Sequence, residues 1–308
     1  MPKILQDYLD YLSTIKERAY STVSGYKLDL IMFFKFLKCS KEIDNYQRDF
    51  NKIDISDIDE EFIKNIKLKD LYSFLAFTKN YKKNNALTRA RKVATIKSFF
   101  KYCKNKIKIL DDDISLDLET PKLPKKQVAY LSLDESKNLL KSIEGRNKER
   151  DFCIITLFLN CGLRLNELCN IKFEDIRDDV LVVKGKGDKD RTVYLNNSCI
   201  ESIKNYLLKR TNVNNTYLFV SERKGHISRR NIQNIVKKSI KKAGLDTHKY
   251  STHKLRHTAA TLLYKYGDVD IRSLQKILGH ESISTTTIYT HVDDEDIRKA
   301  IQSNPLNI

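Results

Sequence analysis

The sequence predicts a mainly α-helical protein: one helical domain, then an α-rich domain that carries a small antiparallel β-hairpin sheet. Three observations lead there. Apolar residues recur at spacings of three and four through both halves, the period of a helix with one buried side. An acidic, proline-containing segment, DDDISLDLETPKLPKK at 111–126, interrupts them. One stretch, VLVVKGKGDKDRTVYL at 180–195, reads as two short β-branched strands around a glycine-containing turn. With 308 residues, 41% of them apolar and 9% aromatic, the chain is long enough for two packed cores. Nine Gly and four Pro exclude collagen-like or linker-like chemistry.

The elements follow in order. Val23, Tyr26, Leu30, Phe33 and Leu37 mark one helix, and Val93, Ile96, Phe100 and Cys103 mark another, with Arg91, Lys97 and Lys101 outside the apolar stripe. Three acids and then Pro121 and Pro124 stop helix continuation and favour an extended connector. The expected domains are therefore residues 1–112 and 127–308, with a linker at 113–126. Ser132 or Asp134 offers an N-cap, and helices continue to about Ile171. After the hairpin, Phe219 and Val220 are expected to add a third strand, and the chain reads as helix from about Ser228 to the end. Asp293 to Asp296 open a short amphipathic tail helix with Ile297, Ala300 and Ile301 on one side. No repeat of 20 to 50 residues is visible.

Charge narrows the partner. The 57 Lys and Arg exceed the 40 Asp and Glu by 17. The excess is concentrated: residues 64–108 hold fourteen basic residues and one acid, and residues 221–257 hold eleven and two. Such blocks fit a polyanion, because cations on a phosphate backbone release its condensed counterions. Six cysteines without a C-x-x-C pair fit reduced, buried thiols rather than a zinc site. No run of 18 apolar residues occurs, and MPKILQDYLDYLS lacks the form of a signal peptide, so a soluble, cytoplasmic protein without a membrane partner is expected.

No Walker loop, H-E-x-x-H or acidic metal cluster stands out, so no metal, cofactor or small-molecule substrate is called for. What stands out is a set of cations and one tyrosine. THKLRHTAATLLYKYG places His253, Arg256 and His257 at i, i+3 and i+4, on one helix face. CGLRLNEL and KGKGDKDR precede it, and LGHESISTTTIYTHV follows. In order and spacing these elements resemble the tyrosine recombinase or phage integrase family, especially its Xer-like members. The family pattern is an Arg in G-L-R-x-x-E-L, a Lys in a hairpin, H-x-x-R, L-G-H and, nine residues later, a tyrosine in Y-T-H. Cys161 and Asn166 stand where Thr and Ser are usual in the first box, and Lys184 and Lys189 lie close to the hairpin Lys.

Carried over position by position, the resemblance implies Arg164, Lys186, His253, Arg256, His280 and Tyr289 as catalytic residues. Planar guanidinium forks on Arg164 and Arg256 suit phosphate oxygens. Tyr289 is the expected nucleophile, His253 its expected base, Lys186 the acid for the leaving 5′ oxygen and His280 a hydrogen-bond donor to the phosphate. His257 and His291 are expected as supports, and Glu167 as a group that orients Arg164 or caps a neighbour. The resemblance implies a 3′-phosphotyrosyl intermediate, made without metal or ATP, and a helical core-binding function for the first domain. The partner it implies is double-stranded DNA with a specific recombination site, held by a homo- or hetero-tetramer. Lys82, Lys83, Arg89, Arg91, Lys97 and Lys101 in the first basic block, and Arg229, Arg230, Lys237 and Lys241 in the second, are the expected DNA contacts, mostly to phosphates. The tail helix is expected to dock on a neighbouring subunit. Integration or excision of a mobile element, a type IB topoisomerase-like relaxer and a non-catalytic DNA-binding relative remain alternatives at this point.

Overall fold

The computed structural model describes residues 1–39, 50–123, 129–185, 190–210, 215–223, 225–280 and 282–289. The chain divides into two compact units, residues 1–125 and 126–308.

The first unit is helical: α1 (Lys3–Asp10), α2 (Tyr20–Cys39), α3 (Glu60–Lys64), α4 (Leu68–Asn80) and α5 (Ala86–Asn105). The helical period brings Phe33, Phe34 and Phe36 of α2 against Phe74 and Phe77 of α4 and Phe99 of α5. Pairs such as Phe33–Phe74 and Phe34–Phe99 meet edge to face, with centroids 5.1 and 5.6 Å apart. One polar group breaks this stripe. Asp29 is buried one turn before Phe33, and its carboxylate is tied to Arg91, to Lys92 Nζ at 2.6 Å and to Thr95 Oγ1 at 3.1 Å, pinning α2 to α5. A carboxylate in that position is tolerable only when paired. Asn85 caps α5 by accepting from Thr88 N–H.

The core of this unit extends further than the sequence suggests. Asp113, Ser115 and Leu118, expected in the linker, are buried; Asp113 accepts from the Ser115 N–H at 3.0 Å, and Leu118 joins the aromatic core. The acids that read as part of an extended connector include one that closes a local turn.

The second unit contains α6 (Leu133–Lys141), α7 (Lys148–Cys161), α8 (Leu165–Cys169), β1 (Ile176–Arg177), β2 (Val180–Lys184), β3 (Asp190–Tyr194), α9 (Asn197–Lys209), α10 (Arg229–Lys242), α11 (Thr252–Tyr266) and α12 (Ile271–Leu278). Ser132 caps α6 through a reciprocal box with Glu135. Helix α7 is buried on every side from Cys153 to Leu159 and packs against α9 and α11, forming the centre of the unit. The sheet is antiparallel in the order β1-β2-β3, with Val182 opposite Thr192 and Val183 opposite Arg191. Among the described residues its third strand is Ile176–Arg177, not the expected Phe219–Val220 segment, where Val220 makes an isolated bridge to His226. Phe219 is fully buried against Tyr206, so its apolar character serves packing rather than pairing. No described helix is long and apolar enough to cross a membrane.

Candidate active site

The site assembles where two helices end in left-handed glycines. Gly162 (φ 57°) terminates α7 and Gly279 (φ 62°) terminates α12. A Cβ on Gly162 would lie 3.0 Å from Leu278, and one on Gly279 only 2.6 Å from Arg191 Cδ. Backbone conformation favours glycine in both turns, and at Gly279 a Cβ would in addition force Arg191 to shift.

The last carbonyls at a helix C-terminus lie beyond its own hydrogen-bond ladder, and at the end of α12 these are Ile277, Leu278 and the capping Gly279. Three successive ones each receive an arginine: Ile277 from Arg191 Nη1, Leu278 from Arg256 Nη2 at 2.6 Å and Gly279 from Arg164 Nη2 at 2.7 Å. Cations are favoured at this end of a helix by its dipole. Arg256 also donates to the Gly162 carbonyl at 2.6 Å, so one side chain joins the ends of α7 and α12.

The same three arginines surround Glu167, whose side chain is 1% exposed. Its carboxylate accepts from Arg164 Nη1 at 2.8 Å, from the Arg164 backbone N–H at 2.7 Å and from Arg191 Nη2 at 2.8 Å, with Arg256 Nη1 3.9 Å away. Glu167 thus both orients Arg164 and caps α8. Burial opposes its charge, but Arg191 and Arg164 outweigh burial and hold the carboxyl below its usual range. Three guanidinium groups on one carboxylate leave an excess of positive charge, and Arg164, with a third of its side chain exposed, presents part of it outward.

Tyr289 is buried in a short turn, Thr287–Tyr289, that packs on α11. Its hydroxyl lies 2.6 Å from His257 Nδ1. One turn earlier on α11 and exposed, His253 meets the edge of the His257 ring at 4.4 Å, and it is the deeper His257 that reaches the phenol. His280 Nδ1 pairs with Thr286 Oγ1 at 3.0 Å, its ring 6.3 Å from that of Tyr289 and nearly parallel to it. Thr286, fully buried, also accepts the Tyr289 N–H at its carbonyl, linking the two residues.

The histidines are kept neutral at pH 7. Burial, then neighbouring His253, Lys254 and Arg256, push His257 down to about 3; burial, then Arg256 and Arg164, push His280 down to about 4; His253 is lowered by the same two causes, burial and Arg256. Burial raises the Tyr289 phenol, and Arg256 and Arg164 offset part of that rise.

Five expected catalytic residues, Arg164, His253, Arg256, His280 and Tyr289, come together, although 125 positions separate the first from the last. Lys186 belongs to residues 186–189, which lie outside the described residues. His291 and the expected tail helix at 293–308 are also outside them. Sequence reasoning missed Arg191. Strand alternation sets it on the same face as the buried Val193, and a cation on the inward face of a strand was the available signal.

The expected DNA contacts have varied surroundings. Lys83, Lys101, Arg229, Arg230, Lys237 and Lys241 are exposed. Lys82 lies over the Phe50 ring at 4.5 Å, Arg89 donates to the Asn84 carbonyl, Lys97 donates to the Leu116 carbonyl, and Arg91 is half exposed while paired to Asp29. Five of the six cysteines are buried and all are free, with Cys161 and Cys199 sulfurs 3.6 Å apart.

Comparison with known proteins identifies the family. The phage integrase family pattern matches residues 129–296. A tyrosine recombinase XerC of Caldanaerobacter subterraneus subsp. tengcongensis is 50% identical over 309 residues, covering 99% of this chain and 88% of its own. A tyrosine recombinase XerD of Proteus mirabilis is 33% identical, covering 96% and 90%. The crystal structure of XerH recombinase bound to palindromic difH substrate, in a post-cleavage complex, superposes with a TM-score of 0.72 at 25% identity, covering 97% of this chain and 83% of that one. The chain belongs to the phage integrase family and is an Xer-like site-specific tyrosine recombinase, a DNA breaking and rejoining enzyme.

Proposed function

We propose that Tyr289 attacks a phosphodiester of one strand in a double-stranded recombination site. The observation that carries this reading is the 2.6 Å contact between the Tyr289 hydroxyl and a neutral His257, beside Arg164 and Arg256. Forming the phenolate at pH 7 costs about 4 kcal/mol from an ordinary tyrosine. In the tautomer with its proton on Nε2, His257 accepts the phenol proton at Nδ1 as the oxygen–phosphorus bond forms. Arg164 and Arg256 take the charge developing on the non-bridging oxygens. Thr286 holds His280 by Nδ1, so that the other ring nitrogen donates to the phosphate. The bond to the 5′ oxygen breaks, Lys186 supplies its proton, and the 3′ phosphate remains on Tyr289. Attack by the 5′ hydroxyl of another strand reverses the step, with no external energy source because one phosphoester replaces another.

Residues 1–112 serve as the core-binding domain and 127–308 as the catalytic domain, each contributing a basic surface to DNA. Four subunits, identical or of two kinds, form the synaptic assembly in the cytoplasm, where the tail at 293–308 docks on a neighbour.

The test begins with selection and sequencing of DNA bound by the purified protein from a random-sequence pool. A duplex of the selected site, nicked near the cleavage position, should yield an SDS-resistant protein–DNA adduct with the wild type and none with Tyr289→Phe. Two such sites should yield exchanged products rather than relaxation alone. Binding without an adduct would refute the catalytic reading.

A further inference from the structure

Arg191 is the third arginine of the centre and belongs to none of the motifs that mark the other two. Its side chain is only 10% exposed, and each of its three nitrogens is used within the protein. Nη2 and Nε reach the two Glu167 oxygens at 2.8 and 3.4 Å, and Nη1 reaches the Ile277 carbonyl. Arg164 keeps about a third of its side chain exposed beside the same carboxylate. Two arginines on one carboxylate therefore divide the work: Arg164 faces outward and Arg191 faces in.

Three elements meet at Arg191. It lies on β3, next to Asp190 where the hairpin strand begins; it holds Glu167 on α8; and it holds the end of α12. Its Cδ sits under the Gly279 turn so closely that a Cβ there would be at 2.6 Å, and that turn leads directly into His280. Removing the guanidinium would leave Glu167 with Arg164 at 2.8 Å and Arg256 at 3.9 Å, drawing Arg164 inward. It would also take from the Ile277 carbonyl its arginine donor.

We propose that Arg191 is a positioning residue of the recombination reaction: by holding Glu167 and the end of α12 together, it sets the Arg164 guanidinium and the His280 turn for the phosphate without touching the phosphate itself. The proposal rests on the reading above, in which Arg164 and His280 contact the scissile phosphate. A lysine cannot replace this residue, because one ammonium lacks the planar fork that spans a carboxylate and a separate carbonyl.

The experiment compares full-length wild type, Arg191→Lys and Arg191→Met on the nicked duplex of the selected site. It measures affinity by gel shift, the single-turnover rate of adduct formation at saturating protein, and the melting temperature. Affinity should stay within about twofold of wild type, as expected for a group withdrawn from DNA. Adduct formation should slow about 10-fold in Arg191→Lys and about 100-fold in Arg191→Met, the range for loss of a positioned charge. If Arg191→Met fails to fold, the folded lysine variant decides. A lysine variant that cleaves at the wild-type rate overturns the proposal, as does a loss of affinity that accounts for the whole loss of rate. Failure of the wild type to form an adduct removes the reading on which the proposal rests, and the proposal with it. A competent wild type with equally competent variants removes the proposal alone.

Discussion

Replacing Glu167 with Gln tests the electrostatic keystone of the second unit with almost no change in shape. The carboxylate is 1% exposed and takes Arg164 Nη1 and Arg191 Nη2 at 2.8 Å each, together with the Arg164 N–H at 2.7 Å. An amide keeps one acceptor oxygen but turns an NH2 group toward a guanidinium, and it leaves the arginines without their counter-charge. Removing one partner of a buried ion pair costs about 3–5 kcal/mol. For a unit the size of residues 126–308, each kcal/mol lowers the melting temperature by about 2–4 °C, so the expected fall is about 6–20 °C at pH 7. The sign with pH follows from the lowered carboxyl. Its stabilisation is fully present above the ordinary value of 4.5 and is lost as pH falls through the lower folded value, so the gap between variant and wild type narrows below about pH 4.5. Circular dichroism melts at pH 7 and at a series of more acidic values measure both quantities. A fall of less than about 3 °C at pH 7, or a gap that persists unchanged into acid, would refute the assignment of Glu167 as the buried counter-charge.

Three further outcomes are expected. His257, pushed down to about 3, is neutral in the folded protein and protonates at ordinary values when unfolded, so stability falls as pH drops from about 6.5 towards 3; His257→Gln should be less acid-sensitive than wild type in urea melts across that range. Asp29→Asn should destabilise the first unit by about 3–5 kcal/mol, since Arg91 and the buried Lys92 lose their shared carboxylate; urea unfolding followed by near-ultraviolet dichroism reads this, and an unchanged midpoint contradicts it. If DNA binding neutralises six to ten phosphates, affinity should fall by about 10³ to 10⁵ between 50 and 200 mM salt; a flat response in fluorescence anisotropy contradicts contact through the two basic blocks.

Much of the fold and part of the centre were legible in the residues themselves. The three-and-four spacing that marked Val93 to Cys103 is realised as α5, the Ser132 cap as the start of α6, and the β-branched runs around Gly185 as β2 and β3. Each of these depends on neighbours a few positions away, where propensity, capping and alternation act directly. The ordered motifs likewise marked Arg164, His253, Arg256, His280 and Tyr289. Phe219–Val220 was misread because a short apolar run satisfies a strand and a packed loop equally well.

Local pattern set the helices and the hairpin, but it did not show that Tyr289 meets His257, and it passed over Arg191. Those outcomes belong to contacts across 32 positions, from His257 to Tyr289, and across 86, from Arg191 to Ile277. Only the packed chain brings three arginines to three adjacent carbonyls at one helix end. A buried carboxylate must find its cations wherever burial places them, and burial is a property of the assembled core rather than of any one segment.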